Sequence, residues 1–224
     1  MNTPRSNTTM RVSMAAVALL GWSALVLQFP LSLATSHANG LTTGEAILTY
    51  FSFFTILTNL VAAASLTLPL LWPNLPVGRF FSRPDVIAGV TVAIAMVGLG
   101  YSLLLRQLWA PEGLQKIADV VLHDLVPVLY VAYWLIFVPK IGLRWKSVLL
   151  WQIYPLAYLA LVLLRGALSG RYPYPFIDAA ALGYDRVLFN AAMLLCAFLA
   201  VGLILVAISR WMERGPAAGA RQIN

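Results

Sequence analysis

The chain has 224 residues, of which 61% are hydrophobic and only 10% charged, with a formal net charge of +7. Its mean hydropathy is +0.83, more apolar surface than a water-soluble domain can bury, so composition points to a polytopic membrane protein. A single cysteine, Cys196, excludes a disulfide framework within the chain and a multi-cysteine metal site, and with His37 in a loop beside His123 the sequence argues against bis-histidine haem.

Apolar runs of roughly 18 or more residues can cross a bilayer as helices. Six such runs follow one another, at about 12–35, 46–72, 84–105, 118–138, 145–164 and 184–209. The first follows a basic start, and Ser36-His37-Ala38 resembles a small-residue cleavage site. Its length exceeds the roughly 7–15 residues of a signal-peptide core, so it is read as a retained first helix. The connections are short, with no linker, low-complexity tract or internal repeat. The expected fold is all-α: one six-helix transmembrane domain over residues 1–224.

The basic residues supply an orientation. Arg5, Arg11, Arg79, Arg83, Lys140, Arg144, Lys146, Arg210, Arg214 and Arg221 fall on one side, and Arg106, Lys116, Arg165, Arg171 and Arg186 on the other. The positive-inside rule then places both termini in the cytoplasm. Basic charge here reads as topology rather than nucleic-acid binding, and the expected partners are membrane lipids; the sequence names no protein partner.

The second run carries Ser52, Thr55, Thr58 and Asn59. In a continuous helix Ser52, Thr55 and Asn59 share one face. Such a face packs helix on helix, or it serves chemistry. The third run ends in Arg106 and Gln107. The fourth contains His123, Asp124 and Pro127. An ionisable residue inside a span is a functional candidate by default. Asp124 is adjacent in sequence but about 100° away around a helix, so it is not assumed to pair with His123; Arg106, Arg165 or Arg186 are its candidate partners. Pro127 lacks an N–H and frees a carbonyl one turn back, allowing a kink. The fifth run ends at Arg165. The stretch RYPYPFIDAAALGYDR, residues 171–186, reads as a rigid aromatic cap, and Asp185, Arg186 and Asn190 open the sixth run.

Thr55 and His123 both fall in the outer half of the bilayer on this topology. A threonine hydroxyl becomes a useful nucleophile when a neighbouring base takes its proton, and neutral histidine suits that task. Asn59 is a candidate oxyanion donor or a support for Thr55. The G-x-S-x-G pattern of many serine hydrolases and the H-E-x-x-H pattern of zinc proteases are both missing, and nothing calls for a metal or cofactor.

YFSFFTILTNL, LHDLVPVLYVAYWLIF and YPYPFIDAAALGYDRVLFN, in this order and spacing, resemble bacterial six-span relatives of the androgen-induced membrane protein family. The resemblance covers nearly the whole chain. It implies a threonine hydrolase of fatty acid esters of hydroxy fatty acids in a bacterial inner membrane. On that resemblance Thr55 is the nucleophile and His123 the general acid and base. Ser52, Asn59 and Asp124 are supporting residues, and Arg106, Arg165 and Arg186 are candidates to hold a substrate carboxylate. Two other classes remain open from sequence: a small-molecule or lipid transporter or channel, and a non-catalytic membrane binding or scaffold protein.

Overall fold

Backbone groups in a hydrocarbon environment find no water, so a chain this apolar satisfies them within helices. The computed structural model describes residues 4–140 and 142–213, and among these it contains helices and no strand. Six of the described helices are long and apolar enough to cross a membrane: Thr8–Ala38, Phe54–Leu71, Pro84–Leu105, Gly113–Phe137, Ser147–Ser169 and Tyr184–Glu213. They follow the order of the six apolar runs. The basic residues Arg214 and Arg221, part of the topology argument, lie outside the described residues.

The residues group into two compact units, Met1–Phe137 and Val138–Asn224. The first contains α1 (Pro4–Ala38), α2 (Thr43–Tyr50), α3 (Phe54–Leu71), α4 (Pro76–Phe81), α5 (Pro84–Gly100), α6 (Gly113–Val120) and α7 (Val126–Phe137). A π turn, Tyr101–Leu105, extends α5, and a second, Val121–Leu125, joins α6 to α7. Helix α1 packs chiefly on α3 and α2, while α5 packs on α7 and α3.

Apolar packing and interhelical hydrogen bonds hold this unit together. Ala24, Leu25, Tyr50, Ile56 and Leu122 form a buried cluster, with Trp22, Phe29, Phe53, Leu60 and Val121 packed against it. The Tyr50 hydroxyl donates to the Leu25 carbonyl at 2.9 Å, and burial pushes its pKa up to about 12. Trp22 Nε1 donates to Thr67 Oγ1 at 3.0 Å, Gln115 Nε2 to Gln28 Oε1 at 2.8 Å, and Ser65 and Tyr130 share a hydrogen bond of 2.6 Å. In lipid each such bond contributes on the order of 1 kcal/mol.

The second apolar run differs from its sequence reading. Instead of one helix over 46–72, a short helix ends at Tyr50, a turn occupies Phe51–Phe53, and a new helix begins at Phe54. The upstream end has a local signal. Thr42 and Glu45 form a reciprocal capping box that starts α2. The break itself has no glycine or proline to announce it, and hydropathy, which sums side chains, does not register a backbone turn between phenylalanines. Thr55 is therefore the second residue of α3 rather than a mid-helix residue. Ser52 lies in the turn, off the α3 face, and its hydroxyl donates to the Leu48 carbonyl at 2.5 Å.

The second unit contains α8 (Ser147–Trp151), α9 (Ile153–Ser169), α10 (Ala179–Leu182) and α11 (Tyr184–Glu213). Gly170, at φ 68°, closes α9 in the left-handed conformation that glycine tolerates. Asp178 caps α10 by accepting from the Ala180 and Ala181 amides, and Asn190 Nδ2 donates to the Phe176 carbonyl at 2.8 Å, fastening the 171–186 stretch to α11. Lys140 is buried: its Nζ donates to the Val138 carbonyl at 2.6 Å, and its own carbonyl accepts from Ser209 Oγ at 2.7 Å.

Candidate active site

The turn at Phe51–Phe53 and the π turn at Val121–Leu125 decide where the polar side chains of the first unit meet. Thr55, in the first turn of α3, has its Oγ1 3.2 Å from His123 Nε2. His123 sits at the centre of the second π turn. Its Nδ1 faces two acceptors, Asp119 Oδ1 at 3.1 Å and the Asp119 carbonyl at 3.0 Å. An acceptor cannot donate, so the ring proton belongs on Nδ1. Nε2 then carries the lone pair and accepts the Thr55 hydroxyl proton. The result is a directional relay from Thr55 Oγ1 to His123 to Asp119.

Asp119 is tied down by more than histidine. Its Oδ2 accepts from the Tyr101 hydroxyl at 2.5 Å. The Tyr101 ring also lies on the imidazole of His123, with centroids 4.0 Å apart and planes 18° from parallel. Tyr101 opens the first π turn as His123 occupies the second, so both irregular turns deliver a ring to the same place. π turns are frequent at functional sites.

Asn59 has a job other than oxyanion binding. Its Nδ2 donates to the Thr55 carbonyl at 2.9 Å and to the Leu122 carbonyl at 3.2 Å. The second bond follows from the backbone. In the π turn the Val126 amide bonds to the Val121 carbonyl, five residues back. The next amide in that register would serve Leu122, but it belongs to Pro127, which has no N–H. Leu122 is thus the carbonyl left open, one residue earlier than the His123 carbonyl that a regular helix would free. Asn59 fills the gap and fastens α3 to the turn that carries His123. With both amide hydrogens spent this way, it has none left for a substrate oxyanion. Its Oδ1 is buried without a hydrogen-bond partner.

Gly98 permits this arrangement by its size. A Cβ there would stand 3.1 Å from the His123 carbonyl oxygen and 3.2 Å from Pro127 Cβ. The site is largely enclosed: Thr55 is 8% exposed, Asp119 5% and Tyr101 4%.

The remaining sequence candidates fall elsewhere. Asp124 forms an ion pair with Arg106 and makes no contribution to the relay. That bond to Asp124 also raises the already high pKa of the Arg106 guanidinium. Arg106 stands over the Tyr101 ring, 4.8 Å from its centroid, and reaches Ser102 Oγ at 3.2 Å. Ser52 bonds Leu48. Arg165 and Arg186 are residues of the second unit, the latter lying over the Phe189 ring at 5.5 Å.

Sequence reasoning missed Asp119 and gave Tyr101 no role. The signal for Asp119 was its spacing: a carboxylate four residues before a histidine lies on the same helix face, whereas the adjacent Asp124 does not.

Comparison with family models, curated proteins and solved structures finds no match.

Proposed function

We propose that this chain is an intramembrane hydrolase of lipid esters, with Thr55 as nucleophile, His123 as general acid and base, and Asp119 orienting His123. The observation that carries the proposal is the relay itself: a threonine hydroxyl 3.2 Å from a histidine nitrogen whose other nitrogen is held by a buried carboxylate. A nucleophile, a base within hydrogen-bond reach and a third group orienting the base are the recurring parts of acyl-transfer sites. The resemblance to the androgen-induced family supports the same pair and suggests fatty acid esters of hydroxy fatty acids as substrates.

The chemistry runs in two halves. Thr55 Oγ1 attacks the ester carbonyl carbon while its proton passes to His123 Nε2. The intermediate collapses, the bond to the leaving alcohol breaks, and Nε2 returns the proton to that oxygen. An acyl-Thr55 remains. Water then attacks the acyl carbon, giving a proton to Nε2, and the fatty acid leaves as Thr55 takes the proton back. Imidazolium forms twice in this cycle, and Asp119 balances its charge each time. Thr55 stands at the positive end of the α3 dipole, which favours the negative charge that builds on the carbonyl oxygen. Arg106 already holds Asp124, so a substrate carboxylate binding there must displace that pair.

The positive-inside rule supports an inner-membrane protein with cytoplasmic termini and a site reached from the outer leaflet. The test is hydrolysis of a lipid-ester panel by purified protein in micelles. Thr55→Ala and His123→Ala should each lower kcat by about 10³-fold or more. Unchanged turnover in both removes these residues from the mechanism.

A further inference from the structure

We propose that Tyr101 is a positioning residue for the Asp119–His123 pair, holding the carboxylate so that it joins the Asp119 carbonyl in fixing the histidine proton on Nδ1. The proposal rests on the hydrolase reading and adds a member to its machinery. A carboxylate attached by a single hydrogen bond can rotate and offer either oxygen, or turn away. Here each oxygen has its own donor: Oδ1 faces His123 Nδ1 at 3.1 Å, and Oδ2 takes the Tyr101 hydroxyl at 2.5 Å. The Tyr101 ring in turn cannot pivot freely. It lies flat on the imidazole at 4.0 Å and beneath the Arg106 guanidinium at 4.8 Å. Phenol and imidazole therefore fix each other through a shared carboxylate and a shared face.

This arrangement acts on two moments of the reaction. Before attack it works with the Asp119 carbonyl to keep the proton on Nδ1 and the lone pair on Nε2, aimed at Thr55. After proton transfer the face of the Tyr101 ring, negative at its centre, lies against the new imidazolium, while Oδ1 stays aligned with Nδ1–H. Neither effect touches the substrate. Loss of the hydroxyl should therefore appear in kcat rather than in KM.

The chain has only two histidines, which makes a direct test practical. Nitrogen NMR of imidazole-labelled protein in micelles should give two resolved rings, assigned with His37→Gln. Wild-type His123 should carry its proton on Nδ1, the less common tautomer in solution. In Tyr101→Phe, which keeps the ring and loses the hydroxyl, the signal should move towards a mixture of tautomers, with the His37 signal unchanged. With a hydrolysed ester in hand, kcat should fall on the order of tenfold to a hundredfold, the scale of a hydrogen bond to a charged group. A wild-type His123 protonated mainly on Nε2, or a Tyr101→Phe protein with wild-type tautomer and wild-type kcat, overturns the proposal. If wild type cleaves no ester, the hydrolase reading fails by itself, and the tautomer signals still decide whether Tyr101 sets the histidine.

Discussion

Replacing Asn59 by leucine, which keeps the branched outline of the side chain, isolates the link between α3 and the turn that carries His123. Two hydrogen bonds are lost, but their consequences differ. The Thr55 carbonyl keeps its place in the α3 ladder, where the backbone amide four residues on serves it. The Leu122 carbonyl has no such reserve, because the Val126 amide is committed to Val121 and Pro127 has none to give. Leaving a buried carbonyl unpaired costs about 1–3 kcal/mol. Removing the buried Asn59 Oδ1, which has no partner, returns part of that cost. A net loss of about 1–2 kcal/mol is expected, within the range of hydrogen-bond effects measured in membrane proteins. For a chain of this length that corresponds to a fall in melting temperature of roughly 2–8 °C, readable by circular dichroism in detergent. Pro127→Ala supplies the missing amide and should restore part of the loss in the double variant. The two substitutions together should then be milder than the sum of each alone. An Asn59→Leu protein that melts at or above wild type, or strictly additive effects with Pro127→Ala, would refute the account of Leu122 as the open carbonyl.

Other outcomes follow from neighbouring contacts. Asp119→Ala should lower kcat by about 10²-fold or more with little change in KM, measured on whichever ester wild type cleaves. Gly98→Val places branched carbon where a single Cβ would already stand 3.1 Å from the His123 carbonyl, and should cost about 1–3 kcal/mol in thermal stability while Gly98→Ala costs less. Burial lowers the Lys140 pKa from 10.5 to about 8. Between those values the unfolded chain holds more protons than the folded one, so stability should rise as pH climbs from about 8 towards 10.5. Denaturant titrations at several pH values should show that slope, and Lys140→Gln should flatten it.

The six apolar helices and two residues of the candidate site were readable from sequence because membrane insertion penalises polarity. A histidine and a threonine in long apolar runs stand out against lipid-like neighbours, and order along the chain relates them. What stayed hidden was backbone irregularity. The turn before Phe54 and the π turns at Tyr101 and Val121 contain no glycine or proline within them, and each shifts which residues face one another. Asp124, adjacent to His123 but not expected to pair with it, has as its partner Arg106, one of the three arginines the sequence offered. Asp119 was equally visible as a carboxylate one helical turn away. Asn59 was legible as a polar oddity, but its purpose depends on Pro127 and on the register of a distant turn. No inspection of α3 alone could supply it.

A π turn holds one residue more than the α turn it replaces, and this site depends on the extra residue. Deleting one residue between Val121 and Leu125 would restore a regular helix with α6 and α7 still in phase, and would remove the wide turn that places His123. Every side chain of the relay could still be present in such a chain, with Asp119 and His123 no longer directed at the same neighbours. The site is thus encoded by length as much as by identity. In a lineage of such proteins a single codon gained or lost could create it or dismantle it, and two chains aligned residue for residue at Thr55, Asp119 and His123 need not both possess it.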